Sequence, residues 1–99
     1  MKDRSHDEAM AELFRGDLAL AAETLDQILA EGDQAELMIA LRQMTSAYGG
    51  VSAVAQAADL NPTQLYRTLS DKGNPELRGL TAILKAMGLR LSVRPIDMA

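Results

Sequence analysis

Apolar residues recur every three or four positions along most of the chain, which is typical of amphipathic helices. The clearest stripe predicts a helix over 18–31, and its apolar side carries Leu18, Ala21, Ala22, Leu25, Ile28 and Leu29. Shorter stripes predict further helices over 7–15, 34–47 and 77–87. Asp17 follows Gly16, and Asp33 follows Gly32. Both are candidate N-caps, because Asp accepts hydrogen bonds from the first amides of a helix.

The end of the chain has a different period. Leu89, Leu91 and Val93 alternate with polar residues as far as Arg94, and Pro95 follows. Alternation of this kind predicts one short β-strand that ends at the proline. The chain offers this strand no evident partner, so we expect Leu89–Arg94 to pair across a dimer or with a different protein.

Two short helices and a tight turn are predicted between Gly50 and Gly73, over 51–58 and 62–70. Asn61 can cap the second helix, and Pro62 suits its first position because that residue needs no hydrogen-bonded N–H. The small Ala55 lets the helices approach closely. Val54, Leu60, Leu65 and Leu69 fall where an interior is needed. The pattern predicts a helix-turn-helix.

Polar side chains are left on the outside of this unit. The candidate DNA-binding residues are Ser52, Thr63, Gln64, Tyr66, Arg67 and Ser70. Hydroxyl, amide and guanidinium groups suit base edges and phosphates. Simpler roles stay open: Arg67 as a solvated arginine, Tyr66 as a cover for the core edge, and Thr63 or Ser52 as helix caps.

The composition bounds the class of protein. Ninety-nine residues with 47% hydrophobic content predict one domain, divided into acidic N-terminal helices (1–47), a helix-turn-helix core (48–88) and the strand (89–95). Cysteine is absent, which excludes disulfides and thiolate sites and is compatible with a reducing cytoplasm. Neither a membrane-spanning run nor a signal peptide is predicted.

The charge of −4 is divided unevenly. Residues 1–47 hold four basic and ten acidic residues, a net charge of −6, whereas residues 48–99 hold six basic and four acidic residues, a net charge of +2. The positive half contains the predicted helix-turn-helix. Because +2 supports few phosphate contacts, we expect a homodimer on two DNA half-sites.

Catalysis and metal binding are not predicted. Asp3, Asp7, Glu8 and Glu12 lie near His6, but one histidine and no cysteine make a poor ligand set, and a solvated helix face explains them better. No glycine-rich phosphate loop is present, so we expect neither an enzyme nor a cofactor.

The chain resembles Xre/Cro-type helix-turn-helix proteins and, more narrowly, the probable addiction-module antidote family of HigA-like type II antitoxins. The resemblance covers roughly residues 34–94. It is carried by Gly50–Ala55, by Leu60–Ser70, and by Gly73-Asn74-Pro75 followed by an apolar helix and Gly88-Leu89. Asp59 stands where many such motifs have glycine, and Asp tolerates left-handed backbone better than most residues.

This resemblance implies an all-α bundle of about five helices with a lambda-repressor-like helix-turn-helix and the short C-terminal strand. It implies two partners. The first is a RelE/HigB-like ribonuclease toxin, which the protein neutralises, and the second is double-stranded operator DNA, which it binds as it represses its own operon. Residues 62–70 would be the recognition helix. The acidic outer face of the N-terminal helices is a candidate toxin contact. Their apolar stripe either belongs to the core of the domain or contacts the toxin.

Two alternatives stay open from the sequence. A stand-alone prophage-type repressor would bind DNA without a toxin partner. A protein-interaction module would keep the helices and bind no DNA.

Overall fold

The computed structural model describes residues 5–70 and 72–96. These residues form six helices: α1 (His6–Gly16), α2 (Leu18–Glu31), α3 (Gln34–Ala47), α4 (Val51–Ala58), α5 (Pro62–Thr68) and α6 (Leu77–Ala86). The all-helical class is confirmed. The number is six, one for each helix that the sequence patterns predict, and not the figure of about five that the resemblance implies. The extended backbone of Asp17 (φ −150°, ψ 91°) separates α1 from α2.

Four helices begin at a side chain that accepts a hydrogen bond from a backbone N–H three residues later. Asp17 accepts from the Leu20 amide at 3.0 Å, Asp33 from Glu36 at 2.9 Å and Asn61 from Gln64 at 3.0 Å. Ser5 caps α1 in the same way. Each such bond satisfies an amide that has no partner inside the helix. The three caps predicted from the sequence are therefore confirmed.

Helix α3 is the central element. It packs against α1, α2 and α4, while α4 also packs against α5 and α6. Six α3 residues are buried, namely Met38, Ala40, Leu41, Gln43, Met44 and Thr45. Two polar bonds fix α1 on α3: the Gln43 amide donates to Asp7 at 2.9 Å, and Arg15 donates to the Ala47 carbonyl at 3.2 Å. The acidic helices and α4–α6 thus share one core.

The predicted C-terminal strand is wrong for the single chain. No strand occurs among residues 5–70 and 72–96, and residues 89–96 follow α6 without regular secondary structure. Leu89 and Leu91 instead pack, half-buried, against the core. The physical reason is that a strand requires a second backbone to bond to, and none of the described residues supplies one.

Some leucines of the predicted helices are exposed. Leu77 is 70% exposed, and Leu13, Leu18 and Leu29 are each at least half exposed. Leu77 is the first residue of α6, and helical side chains lean toward the N-terminus, so this side chain extends past the helix instead of onto the core. By contrast, Met38, Met44 and Met87 are buried and fill the core.

Two residues of α6 give a matched test of this core. Ile83 is fully buried whereas Leu77 is mostly exposed. We expect Ile83→Ala to lower the free energy of unfolding by about 2–5 kcal/mol, because the substitution removes buried apolar atoms and leaves a cavity in the core. Leu77→Ala should change it by less than about 0.5 kcal/mol. Urea denaturation followed by circular dichroism measures both, and equal losses would contradict this packing.

Candidate nucleic-acid interface

Helices α4 and α5 meet at a tight corner over Asp59–Asn61. Asp59 is left-handed (φ 57°, ψ 47°), and the Leu60 amide donates to the Ala55 carbonyl at 2.8 Å. This is the C-terminal geometry that glycine usually provides, and Asp supplies it here. Val54, Ala55, Leu65 and Leu69 are buried and Leu60 is half-buried, as the sequence predicted.

The outer side of α5 carries four exposed polar residues: Thr63, Gln64, Tyr66 and Arg67. Tyr66 is 70% exposed, so it does not serve chiefly to cover the core. Asn61, not Thr63, caps the helix. Tyr66 therefore does not have the core-covering role, and Thr63 does not have the capping role, that the sequence left open for them.

Ser70 lies beyond the end of α5, because this helix ends at Thr68 and not at Ser70 as predicted. The Ser70 hydroxyl donates to the Arg67 carbonyl at 2.7 Å, and the Thr68 hydroxyl donates to the Gln64 carbonyl at 2.9 Å. These hydroxyls satisfy carbonyls at the C-terminal end of the short helix. Ser70 is exposed and adjoins the same face.

Helix α4 begins without a side-chain cap. Its N-cap is Gly50, so the interpretation of Ser52 as the cap is wrong. Gly50 has φ 102° and ψ 176°, a backbone that glycine adopts and other residues avoid. Ser52 is the second helical residue and is exposed. The first amides of α4 are thus left without a capping side chain, at the positive end of the helix dipole.

A cleft of about 430 Å³ lies at this helix start. It is lined by Arg42, Thr45, Ser46, Gly50, Val51, Tyr66, Leu69 and Ser70, none of them acidic. Thr45 is 2% exposed, and its hydroxyl has no hydrogen-bond partner among the described residues. Arg42 donates to the Leu69 carbonyl at 2.8 Å and so ties α3 to the end of α5. The cleft thus lies beside an uncapped helix N-terminus and one buried hydroxyl, that of Thr45, without a partner among the described residues.

Arg42 and Thr45 were not singled out from the sequence. They lie three residues apart on α3 and therefore share one helix face. That spacing was visible, but which helix this face contacts depends on long-range packing of α3 against α4. Only the fold brings these two residues beside Tyr66 and Ser70.

The loop after α5 is fixed by close packing at Gly73. A Cβ at this position would lie 1.7 Å from the Thr68 carbonyl oxygen, so no larger residue fits without moving backbone. The Gly73 carbonyl accepts a bond from the Gln34 side chain at 3.3 Å. These contacts give a physical reason for the glycine in Gly73-Asn74-Pro75, since it holds the loop against the end of α5.

The acidic residues of the N-terminal half do not line this cleft. All nine acidic residues between 5 and 47 are exposed, and among them are Glu23, Asp26 and Glu31 on α2. Within the described residues, no group of three or more His, Asp or Glu is arranged to hold a metal ion. Asp3, part of the acidic cluster noted in the sequence, lies outside the described residues. None of the described helices is both long and apolar enough to span a membrane.

A family model described as "Probable addiction module antidote protein" matches residues 7–95. This match covers both the acidic N-terminal helices and the α4–α6 region, and it extends to Pro95. No curated protein and no protein of solved structure matches the chain significantly.

Alanine substitutions at two glycines, Gly73 in the loop and Gly79 in α6, should change the free energy of unfolding in opposite directions. We expect Gly73→Ala to lower the free energy of unfolding by more than about 1 kcal/mol, because its Cβ would collide with backbone. Gly79→Ala, inside α6 with no atom near the new Cβ, should raise it by up to about 1 kcal/mol. Thermal denaturation of both variants measures the difference, and a stabilised Gly73→Ala would contradict the geometry.

Proposed function

Because the chain belongs to the family of probable addiction module antidote proteins, we propose that it is a DNA-binding antitoxin of a type II toxin–antitoxin module. Family membership supports an antitoxin role in general, implies a cognate toxin as partner, and favours a non-enzymatic protein. The proposal adds that the toxin is a RelE/HigB-like ribonuclease and that the chain binds its own operator and represses its operon.

The observation that carries the DNA-binding part is the cleft at the start of α4. An uncapped helix N-terminus attracts anions, because its free amides and its dipole both favour negative charge. The cleft lining carries the hydroxyl residues Ser46 and Ser70, and no lining residue is acidic. These features suit a phosphate of the DNA backbone, and Ser52, exposed in the first turn of α4, is a further candidate contact.

A phosphate in this cleft would place α5 toward the bases. Tyr66 and Ser70 line the cleft, while Thr63, Gln64 and Arg67 are exposed on the same short helix and its first turn. In helix-turn-helix proteins the second helix lies in the major groove and its N-terminal residues contact base edges. We assign Thr63 and Gln64 to that role, Arg67 to guanine or phosphate, and Tyr66 and Ser70 to the backbone.

A homodimer supplies the affinity that one chain lacks. Residues 48–99 carry a net charge of only +2, and the salt-dependent part of DNA affinity grows with the number of neutralised phosphates. Two copies of α5 on a palindromic operator would lie about 34 Å apart, one turn of DNA. Binding to an operator also places the protein in the cytoplasm.

The acidic helices are the proposed toxin contact. Their carboxylates are exposed, and Leu13, Leu18 and Leu29 on the same two helices, α1 and α2, are each at least half exposed. Apolar side chains set among acidic ones suit a basic partner, and a ribonuclease carries positive charge where it binds RNA. Such complementarity raises the association rate. Toxin and DNA would then occupy different surfaces.

Replacing Arg67 separates the two proposed activities. We expect Arg67→Ala to weaken operator binding about tenfold or more, because one bidentate or phosphate contact is worth about 1–3 kcal/mol. Toxin neutralisation should be unchanged, since Arg67 is exposed on α5, which packs against α4 and not against α1 or α2. Fluorescence anisotropy measures the first activity and growth rescue the second.

Lys85→Ala is the matched control, since Lys85 is an exposed cation on α6 and not on α4 or α5. It should retain most of the operator affinity. If Arg67→Ala leaves every interaction unchanged, the chain is a protein-interaction module and not a DNA-binding protein. Loss of both activities from a folded Arg67→Ala variant would contradict separate surfaces.

Co-expression with the protein encoded beside it tests the antitoxin part. We expect the neighbouring protein to arrest growth when it is expressed alone, and co-expression to restore growth with a stable complex. The physical basis is burial of the toxin's RNA-binding surface against the acidic helices. A neighbour that is harmless or does not bind would leave a stand-alone prophage-type repressor.

A further inference from the structure

Residues 89–96, here called the C-terminal segment, have a backbone that is unpaired beyond its first residue. That first residue, Leu89, donates its amide to the Leu84 carbonyl at 2.8 Å. Among the described residues, the N–H and C=O groups of residues 90–96 make no further backbone bond. A row of free backbone groups is a template for pairing with another strand.

The apolar side of the segment is only partly covered. Leu89 and Leu91 are half-buried against the core, whereas Val93, two positions further, is 96% exposed. In a strand these three side chains would share one face. The segment also borders a groove of about 1150 Å³ beside α2, where Leu29 is half exposed. Apolar surface therefore continues from the core to uncovered positions.

We propose that the C-terminal segment pairs antiparallel with the same segment of a second copy, around a two-fold axis at Leu91. Leu91 then faces the partner's Leu91, and each Val93 faces the partner's Leu89. Arg90 faces the partner's Ser92 on the other side of the ribbon. This inference rests on the proposed function, which requires a dimer. It adds the surface through which the two copies pair and the register of that pairing.

Charge and the polar/apolar alternation select this register. An axis at Ser92 would set Arg90 opposite the partner's Arg94, and an axis at Arg90 would set two arginines face to face. Like charges directly opposite each other destabilise a pair of strands. An axis between two residues would set apolar against polar side chains. An axis at Val93 would set Leu91 opposite the partner's Pro95, which lacks the N–H that a paired strand donates. The Leu91 axis has none of these faults and ends before Pro95.

The charges of the segment fit a second copy as the occupant. Residues 89–96 contain two arginines and no acidic residue. Asp26 of α2 accepts a hydrogen bond from Arg94 and, by that bond and by its charge, raises the pKa of the guanidinium. Arg90 is exposed and, with the axis at Leu91, faces the partner's Ser92. Pairing with a second copy therefore sets no arginine opposite another, and the segment's own alternation supplies the matching strand.

The absence of cysteine makes a direct test available, because a single introduced cysteine can form a disulfide only with another molecule. We expect Leu91→Cys to cross-link into covalent dimers at least tenfold faster than Val93→Cys in oxidised glutathione. Cα atoms of directly opposite residues in an antiparallel pair lie about 4.5–5.5 Å apart, within the range of about 4.4–6.8 Å that a disulfide spans. The assay uses the chain alone, so failure of the DNA or toxin proposals does not affect it.

The control is strict because Val93 is far more exposed than Leu91. Random collision would favour Val93→Cys, whereas the proposed axis places the two residues 93 four positions apart, about 13 Å along the strands. Ser92→Cys reports the competing axis and should also cross-link slowly. A rate for Leu91→Cys no greater than that for Val93→Cys, or fastest cross-linking by Ser92→Cys, would overturn the register.

A second variant keeps the test independent of any effect of Leu91→Cys on folding. Val93→Lys should leave the thermal unfolding of the single chain unchanged, since Val93 touches little of it. It should convert a dimer of twice 10.7 kDa into a monomer in analytical ultracentrifugation. A parent chain that is already monomeric at about 100 μM would overturn the proposal, as would a Val93→Lys variant that remains dimeric.

Discussion

Burial of α3 on several sides is the constraint on which the other elements depend. This helix supplies Leu41 at 0% exposure and Met38 at 1%, and it packs against α1, α2 and α4. A chain with only three aromatic residues has few large side chains with which to fill a core, so Leu and Met at consecutive turns of one helix must do it. Because α3 contacts both the acidic helices and α4, the two proposed binding surfaces belong to one body.

The same helix also shapes the candidate DNA site. Arg42 bonds to the Leu69 carbonyl and, together with Thr45, lines the cleft at the start of α4. The Thr45 hydroxyl is buried without a partner among the described residues, which costs about 1–3 kcal/mol. The cleft lining contains no acidic residue.

Local signals predicted much of this from the sequence. Asn61, Asp17 and Asp33 cap their helices because a cap needs only residues three positions apart. The cleft was not predictable in the same way, since Arg42 and Tyr66 meet only when α3 packs beside α4 and α5. The strand failed for a related reason. Alternation fixes which side chains share a face, but a strand also needs a partner backbone, which the single chain does not contain.

The most direct test is a titration of the chain against the DNA upstream of its own coding sequence. A shuffled duplex of the same length and composition is the reference, at a fixed salt concentration near 150 mM. The account predicts that the chain binds the upstream DNA about a thousandfold or more tightly than the shuffled duplex, with affinity that falls steeply as salt rises. Equal affinity for the two duplexes, or no binding to either, would contradict the assignment of α4 and α5 to DNA.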